Sequence, residues 1–456
     1  MRRLVALALV AVMAAVAVYL WPPSTHPATP SVVLVTLDTE RADHVSAYGY
    51  ARPTTPRLDA LAAEGTLFTT AYTAIPSTGP SHAGLFTSRY PSEHGVLKNA
   101  DVLAATWITL AEALAQAGYS TAAFVSAYPL ARKFGFAQGF ATYDDAFTAA
   151  DASIVLSDWE GERVESAGFD RRADATTARA LAWLSTAPRD RPLFLWVHYY
   201  DPHEPYDPPA AYRALLASAP VKGRPRLTGA IEAYDAEIRF ADDWLGQLID
   251  AVDHRLGASN TLVVVASDHG EGLMQHGWMG HGANLYEELV RTVLVFRRPG
   301  HVRATRVDAP VGLIDVAPTI LAHLGLDASA LQPRGIDLAP ALDHGAPLAA
   351  ERALYFQRRV YQPGSRDDVP VRGEMLGIRV GPWKYIEAPH GVGAELFDLA
   401  SDPGETRNLS DREAARASEL AAVLDRWRGE ERREGAVDRP LSAEEARRLR
   451  ALGYVE

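Results

Sequence analysis

Three short apolar runs that break off on an aspartate or a histidine constrain this chain more than any other feature. Residues 32–37 run into Asp38, residues 193–197 into His198, and residues 261–266 into Ser267, Asp268 and His269. A continuous apolar run, rather than an alternating one, marks a strand buried on both faces, as in a parallel sheet covered by helices. Helix-like stretches lie between the runs, at 57–64, at 109–117 (ended by Gly118) and at 173–185. The alternation predicts a doubly wound α/β layer structure, a mostly parallel sheet flanked by helices. Ligands of such sheets sit at the carboxyl ends of the strands. A site is therefore expected where these strand-end Asp and His residues meet.

The layered region is expected to span 31–345. Beyond it the texture changes. Residues 376–380 and 383–386 around Gly381-Pro382 read as a hairpin, 395–399 as a short strand and 412–428 as a helix. They predict a small α+β subdomain over 346–430. The tail, 431–456, carries a capping box of Ser442 and Glu445 for a last helix ending at Gly453. At the other end, Arg2 and Arg3 precede an uncharged apolar run over 1–21, from residue 4 onward. As a helix that run spans about 27 Å, enough to cross a hydrocarbon core. Its basic flank would stay cytoplasmic and place the remainder in the periplasm or at the cell exterior. It is either a signal anchor or a cleaved signal peptide, and no small-x-small cleavage site follows it, which favours membrane anchoring. Residues 22–30 read as an extended linker.

Composition narrows the chemistry. A formal charge of −12, from 45 basic and 57 acidic residues, argues against nucleic acid as a partner. The chain has no cysteine, which removes disulfides, zinc-thiolate sites and thiol nucleophiles.

Four segments carry reactive side chains. Asp38 closes a buried strand, an expensive place for a carboxylate unless a cation or hydrogen bonds compensate it; it is a ligand or a turn cap. In residues 75–89, Pro80 fits the first turn of a helix, with Thr78 or Gly79 near the cap. A hydroxyl there is a structural cap or part of an anion seat at the positive end of the helix dipole. Asp268 and His269 are followed by His276 and His281. Mixed carboxylate and imidazole ligands suit zinc or manganese better than calcium, which prefers oxygen alone. Residues 198–209, with His198, Asp201 and His203, form a proline-rich segment that is a binding loop or a rigid turn.

Taken in order, VVLVTLDTERADHVSAYGY, PTTPRLDALAAEGTLFTTAY, PSHAGLFTSRYPSEHGV, SDHGE and LYEELVRTVLVF resemble the sulfatase branch of the alkaline-phosphatase superfamily. GIRVGPWKYI and ELFDLASDPGETRNL are similar to its small terminal subdomain. The resemblance implies an alkaline-phosphatase-like core and a divalent metal ion bound by Asp38, Asp268 and His269. It also puts Thr78, two residues before Pro80-Ser81, at the position of the nucleophile and of a fourth ligand. The chain departs from the family at several points. Sulfatases oxidise a Cys or Ser at that position to formylglycine, which is not expected of Thr78 in a chain without cysteine. His82 replaces the Arg after Pro-Ser, Thr39 replaces a second Asp, and a Lys-x-His segment is missing from residues 120–128. A threonine with two aspartates and a histidine resembles the metal site of phosphoethanolamine transferases and of alkaline-phosphatase-like phosphodiesterases.

A divalent ion can lower an oxygen ligand's pKa from ~15.7 to ~7, as for water on zinc. The expectation is therefore a metal-dependent hydrolase that cleaves an anionic sulfate or phosphate ester with Thr78 as nucleophile. His203 and His281, and further His82, His198 and His276, are candidates to hold a second metal, to bind the anion or to protonate the leaving group. The alternatives are a headgroup transferase of the phosphoethanolamine type and a non-catalytic binding protein.

Overall fold

In the computed structural model the three apolar runs lie side by side in the middle of one sheet. The structure describes residues 29–147, 169–217, 221, 227–301, 303–361, 373–387, 393–430 and 447. The sheet's eight strands are β1 (Ser31–Leu37), β2 (Thr66–Phe68), β3 (Ser120–Phe124), β4 (Thr142–Asp144), β5 (Leu193–Tyr199), β6 (Thr261–Ser267), β7 (Leu294–Arg297) and β8 (Thr305–Val307). Their order is β8-β2-β7-β6-β1-β5-β3-β4. Neighbours pair in parallel except for β7, which runs antiparallel to both β2 and β6.

The pleat explains why these strands are apolar throughout. Side chains alternate across a strand. Val32 and Leu34 of β1, Phe194 and Trp196 of β5, and Leu262 and Val264 of β6 therefore enter one layer. There they meet the helices Thr78–Thr87, Leu110–Gln116 and Val316–His323. Val33, Val35, Leu195, Val197, Val263 and Val265 enter the other, against the helices Pro56–Ala63, Ala173–Thr186 and Thr228–Leu256. With both faces covered a polar residue before the strand end must find its partner inside, as Thr36 does with Trp196 and His82. In register, Leu37 lies opposite Tyr199 on one side and Ser267 on the other. One residue further on, Asp38 and Asp268 emerge along the same edge.

Helix boundaries follow local chemistry. The stretch expected at 109–117 is the helix Leu110–Gln116, with Thr109 as its N-cap. The Thr109 hydroxyl accepts from the Glu112 N–H at 3.2 Å, and the Glu112 carboxylate accepts from the Thr109 N–H at 2.8 Å.

The C-terminal part contains the expected hairpin as Gly373–Val380 and Trp383–Glu387, joined by Glu395–Asp398. A further strand, Leu354–Tyr361, pairs with the hairpin from the other side. Its sequence LYFQRRVY mixes apolar and charged residues without clean alternation, so no strand is predicted there. One face of this sheet packs on the helix Ala414–Glu430 through Ile378, Leu396, Leu420 and Leu424. The other face meets Tyr72, Leu285 and Val290 of the layered region. The join also buries a charge. Lys384 is fully buried, 3.1 Å from Glu287 and 2.9 Å from Glu405. Removing one partner from a buried ionic group leaves uncompensated charge, at a cost of about 3–5 kcal/mol. Lys384→Met is therefore expected to lower the urea midpoint of unfolding by an amount equivalent to several kcal/mol, readable by circular dichroism.

The apolar run at 4–21, most of the linker and most of the 431–456 tail lie outside the described residues. Among the described residues, no helix is long and apolar enough to cross a membrane.

Candidate metal centre and active site

Asp38, Thr78, Asp268 and His269 are all 0% exposed. The fold brings them together from three places, the ends of β1 and β6 and the first turn of the helix Thr78–Thr87. The Asp38 N–H donates to the Tyr199 carbonyl at 2.8 Å, and the Asp268 N–H donates to the Leu37 carbonyl at 3.2 Å, so the two strand ends are tied to each other. Ser81 fastens the helix to them by donating to the Asp268 carbonyl at 2.7 Å. One glycine is obligatory here. A Cβ at residue 270 would sit 2.0 Å from the Glu288 carbonyl oxygen, whereas one at residue 79 would sit 3.1 Å from the side-chain oxygen Asn99 Oδ1, a tight contact.

Three polar atoms face one another with no hydrogen-bond partner: Asp38 Oδ1, Asp268 Oδ2 and His269 Nε2. His269 Nε2 is 3.9 Å from Asp38 Oδ1 and 3.6 Å from Asp268 Oδ2. The rest of each side chain is spoken for. Asp268 Oδ1 accepts from the Thr39 N–H at 3.1 Å and from the His269 N–H at 2.7 Å. His269 Nδ1 donates to the Gly270 carbonyl at 2.9 Å, which leaves a lone pair on Nε2 aimed at the carboxylates. Thr78 Oγ1 lies 3.5 Å from Asp38 Oδ2. Buried polar atoms without partners are rare and call for an explanation, and a divalent cation among them supplies one. The residues fit it: two carboxylate oxygens and an imidazole nitrogen lie within 4.8 Å of one another, with the Thr78 hydroxyl 3.5 Å from Asp38.

The electrostatics agree. Burial pushes the Asp38 carboxyl up to about 7, against the pull of His269. Burial, and then the Asp38 charge, raise Asp268 as well. Burial would lower His269, but the Asp268 and Asp38 carboxylates outweigh it and hold the imidazole above its ordinary value. Two carboxylates that resist ionising this strongly are the groups a cation stabilises.

The histidines divide. His203 stacks on Tyr200, their ring centroids 4.4 Å apart, and its Nδ1 meets the Tyr200 hydroxyl at 2.8 Å. His281 lies edge-on to His203 at 4.9 Å and 4.6 Å from the His269 ring, so both line the approach to the cluster. His198 Nε2 is 3.5 Å from Asp38 Oδ2, and burial lowers this imidazole to about 4. His276 is turned away. Its Nδ1 is 2.7 Å from Glu288, its Nε2 is 3.2 Å from the Glu405 carbonyl, and its ring stacks on Tyr286 at 3.7 Å. It joins the loop to the C-terminal part and takes no place in the cluster. His82 is near, with Nδ1 3.7 Å from Asp268 Oδ2, yet both its nitrogens are engaged. Nδ1 donates to the Thr78 carbonyl at 2.8 Å, and Nε2 accepts from the Thr36 hydroxyl at 3.0 Å. Burial keeps it neutral, with a pKa lowered to about 3. His82 therefore braces the turn that carries Thr78, and with His198 and Asp268 it forms a second group whose ligand atoms lie within 4.8 Å of one another.

Two residues enter the site without a sequence signal that assigns them a role. The anion seat expected from free helix N–H groups is partly taken, because the Gly79 N–H donates to Asn99 Oδ1 at 2.7 Å and Pro80 has no N–H. Asn99 Nδ2, on the same side chain, is buried and without a partner. Glu271, fully buried, holds His281 through its Oε1, 3.2 Å from Nδ1.

The profile of the sulfatase family matches residues 30–326, and the profile of the N-sulphoglucosamine sulphohydrolase C-terminal region matches residues 274–428. An uncharacterized sulfatase, YidJ, of Escherichia coli is 27% identical over 84% of this chain and 83% of its own length. A solved structure of BT4656 with its substrate D-glucosamine-2-N,6-O-disulfate superposes with a TM-score of 0.74 at 20% identity, covering 88% of this chain and 98% of that one. The phosphonate monoester hydrolase of Agrobacterium radiobacter does so with a TM-score of 0.66 at 24% identity, covering 88% and 96%. Since the first profile runs across every strand from β1 to β8 and through each strand end that builds the cluster, the chain belongs to the sulfatase family and is a hydrolase of ester bonds.

Proposed function

We propose that this enzyme cleaves a sulfate, phosphate or phosphonate ester with the hydroxyl of an unmodified Thr78 as nucleophile. The observation that carries this reading is the placement of Thr78 Oγ1, 3.5 Å from Asp38 Oδ2 and beside three unpartnered ligand atoms. Asp38, Thr78, Asp268 and His269 would hold a divalent cation, zinc or manganese by the donor set, whose charge would acidify the hydroxyl and neutralise the anionic ester. Thr78 Oγ, its proton passed to solvent, then forms a bond to sulfur or phosphorus as the bond to the leaving alcohol breaks, and water later displaces Thr78 to release sulfate, phosphate or the substituted phosphonate. Asn99 Nδ2, buried and unpartnered beside Gly79, is assigned a hydrogen bond to an oxygen of the group in transfer. His281, oriented by Glu271, stands at the rim and is assigned the proton for the departing alkoxide.

The solved relatives, one bound to a disulfated glucosamine and one a phosphonate monoester hydrolase, motivate the choice of substrates for a test. Aryl sulfate, aryl phosphate, a phosphodiester and a phosphonate monoester would be offered to protein stripped with chelator and reloaded with zinc, manganese or calcium. Metal-restored release of the alcohol from any of these supports the reading. No turnover of any of them by metal-loaded protein contradicts it. His281→Ala is expected to lower kcat by about 10²–10⁴-fold on alkyl esters. The loss on nitrophenyl esters should be much smaller, because their leaving group departs without a proton; equal losses on both would remove the assignment.

A further inference from the structure

We propose that Tyr234, on the long helix Thr228–Leu256, is a positioning residue for the metal centre, clamping the turn that carries the ligand carboxylates into place. Tyr234 is 0% exposed, and its hydroxyl makes two bonds, both to backbone groups of the segment just after Asp38. It donates to the Thr39 carbonyl at 2.7 Å and accepts from the Arg41 N–H at 2.9 Å. Thr39, the first of the two bonded residues, has φ +55, the left-handed region that a β-branched residue rarely occupies. Such a conformation persists where its surroundings over-determine it.

The consequence of that conformation lies in the cluster. It turns the Thr39 N–H onto Asp268 Oδ1 at 3.1 Å, so the residue after one ligand orients the carboxylate of another. Arg41 extends the brace, with Nη1 donating to the Glu271 carbonyl at 2.9 Å. The hydroxyl of Tyr234 thus reaches Asp38 through the chain and Asp268 through Thr39, without touching either. The neighbouring Asp235 holds a different stretch of the same segment: His44 at 2.7 Å, the Tyr50 hydroxyl at 2.8 Å, and Arg52. Those bonds secure the loop 44–52 and do not reach the ligands. Tyr50 therefore supplies a control, a hydroxyl bonded to the neighbouring residue of the same helix.

This inference rests on the reading of Asp38, Asp268 and His269 as metal ligands, and the test separates the two. Tyr234→Phe keeps the buried ring and removes the hydroxyl alone. Zinc dissociation constants would be measured by competition with a chromogenic chelator for wild type, Tyr234→Phe and Tyr50→Phe, alongside the melting temperature of each metal-free protein. Outer-shell partners are typically worth about 10–100-fold in metal affinity. The expected result is a zinc affinity weakened by about that factor in Tyr234→Phe, a value near wild type in Tyr50→Phe, and similar metal-free melting temperatures for the two variants. Unchanged affinity in Tyr234→Phe overturns the clamp while leaving the ligand assignment intact. Equal loss in both variants overturns it too, as a general effect of loosening the helix. A wild-type protein that takes up no zinc, manganese or calcium overturns the ligand reading and the clamp with it.

Discussion

Thr78→Ala is expected to remove turnover, by about 10⁴-fold or more in kcat, while the protein still binds its metal. The two parts separate because three of the four ligand atoms, Asp38 Oδ1, Asp268 Oδ2 and His269 Nε2, do not depend on residue 78. The helix should survive the change as well. Its first turn is held by the Gly79 bond to Asn99, by Ser81 on the Asp268 carbonyl and by His82 on the Thr78 carbonyl, none of which uses the threonine side chain. Thr78→Ser keeps a hydroxyl at the same place and is expected to retain most activity. Metal content by atomic emission, measured beside kcat, checks both outcomes. Full activity in Thr78→Ala would end the nucleophile assignment.

Asp268→Asn is the second large effect, and here two signs oppose each other. The variant loses a charged ligand, so metal binding and activity should fall together to background. The amide oxygen can still accept from Thr39 and His269, so the local turn remains. Asp38 and Asp268 repel each other in a site where burial already disfavours both charges. Without metal, the variant should therefore unfold no more easily than the wild type. With metal, the wild type alone gains stability, about 2.7 kcal/mol at a free concentration a hundredfold above its Kd. Thermal melts with and without added zinc would show the two curves crossing over. A variant that still gains stability from the ion would show that Asp268 is not a ligand.

The sequence made the strand-end cluster legible because an aspartate or histidine closing a buried apolar run must be compensated by a cap, a turn or a ligand. The same logic located the layered sheet, since only a sheet covered on both faces asks for runs such as residues 32–37. Other features depend on contacts that no local pattern encodes. His82 looks like a candidate acid in the linear sequence, but its nitrogens are taken by Thr78 four residues back and by Thr36 on a strand. His276 sits between two histidine-rich positions and yet turns toward Glu288 and Glu405, a partner far along the chain. Asn99 belongs to an irregular loop, where residue type says little about direction. Tyr234 reads as an ordinary core position on its helix, and its bonds to residues 39 and 41 emerge from the packing of helix against strand ends.

The most direct measurement of the central claim is to catch the covalent intermediate. Enzyme mixed with a slowly hydrolysed aryl ester, quenched in acid and digested, would be examined by mass spectrometry for the peptide containing residues 77–89. The account predicts one sulfuryl or phosphoryl group attached to an otherwise unmodified Thr78. An adduct on a different residue, or an oxidised side chain at position 78 before substrate is added, would contradict it.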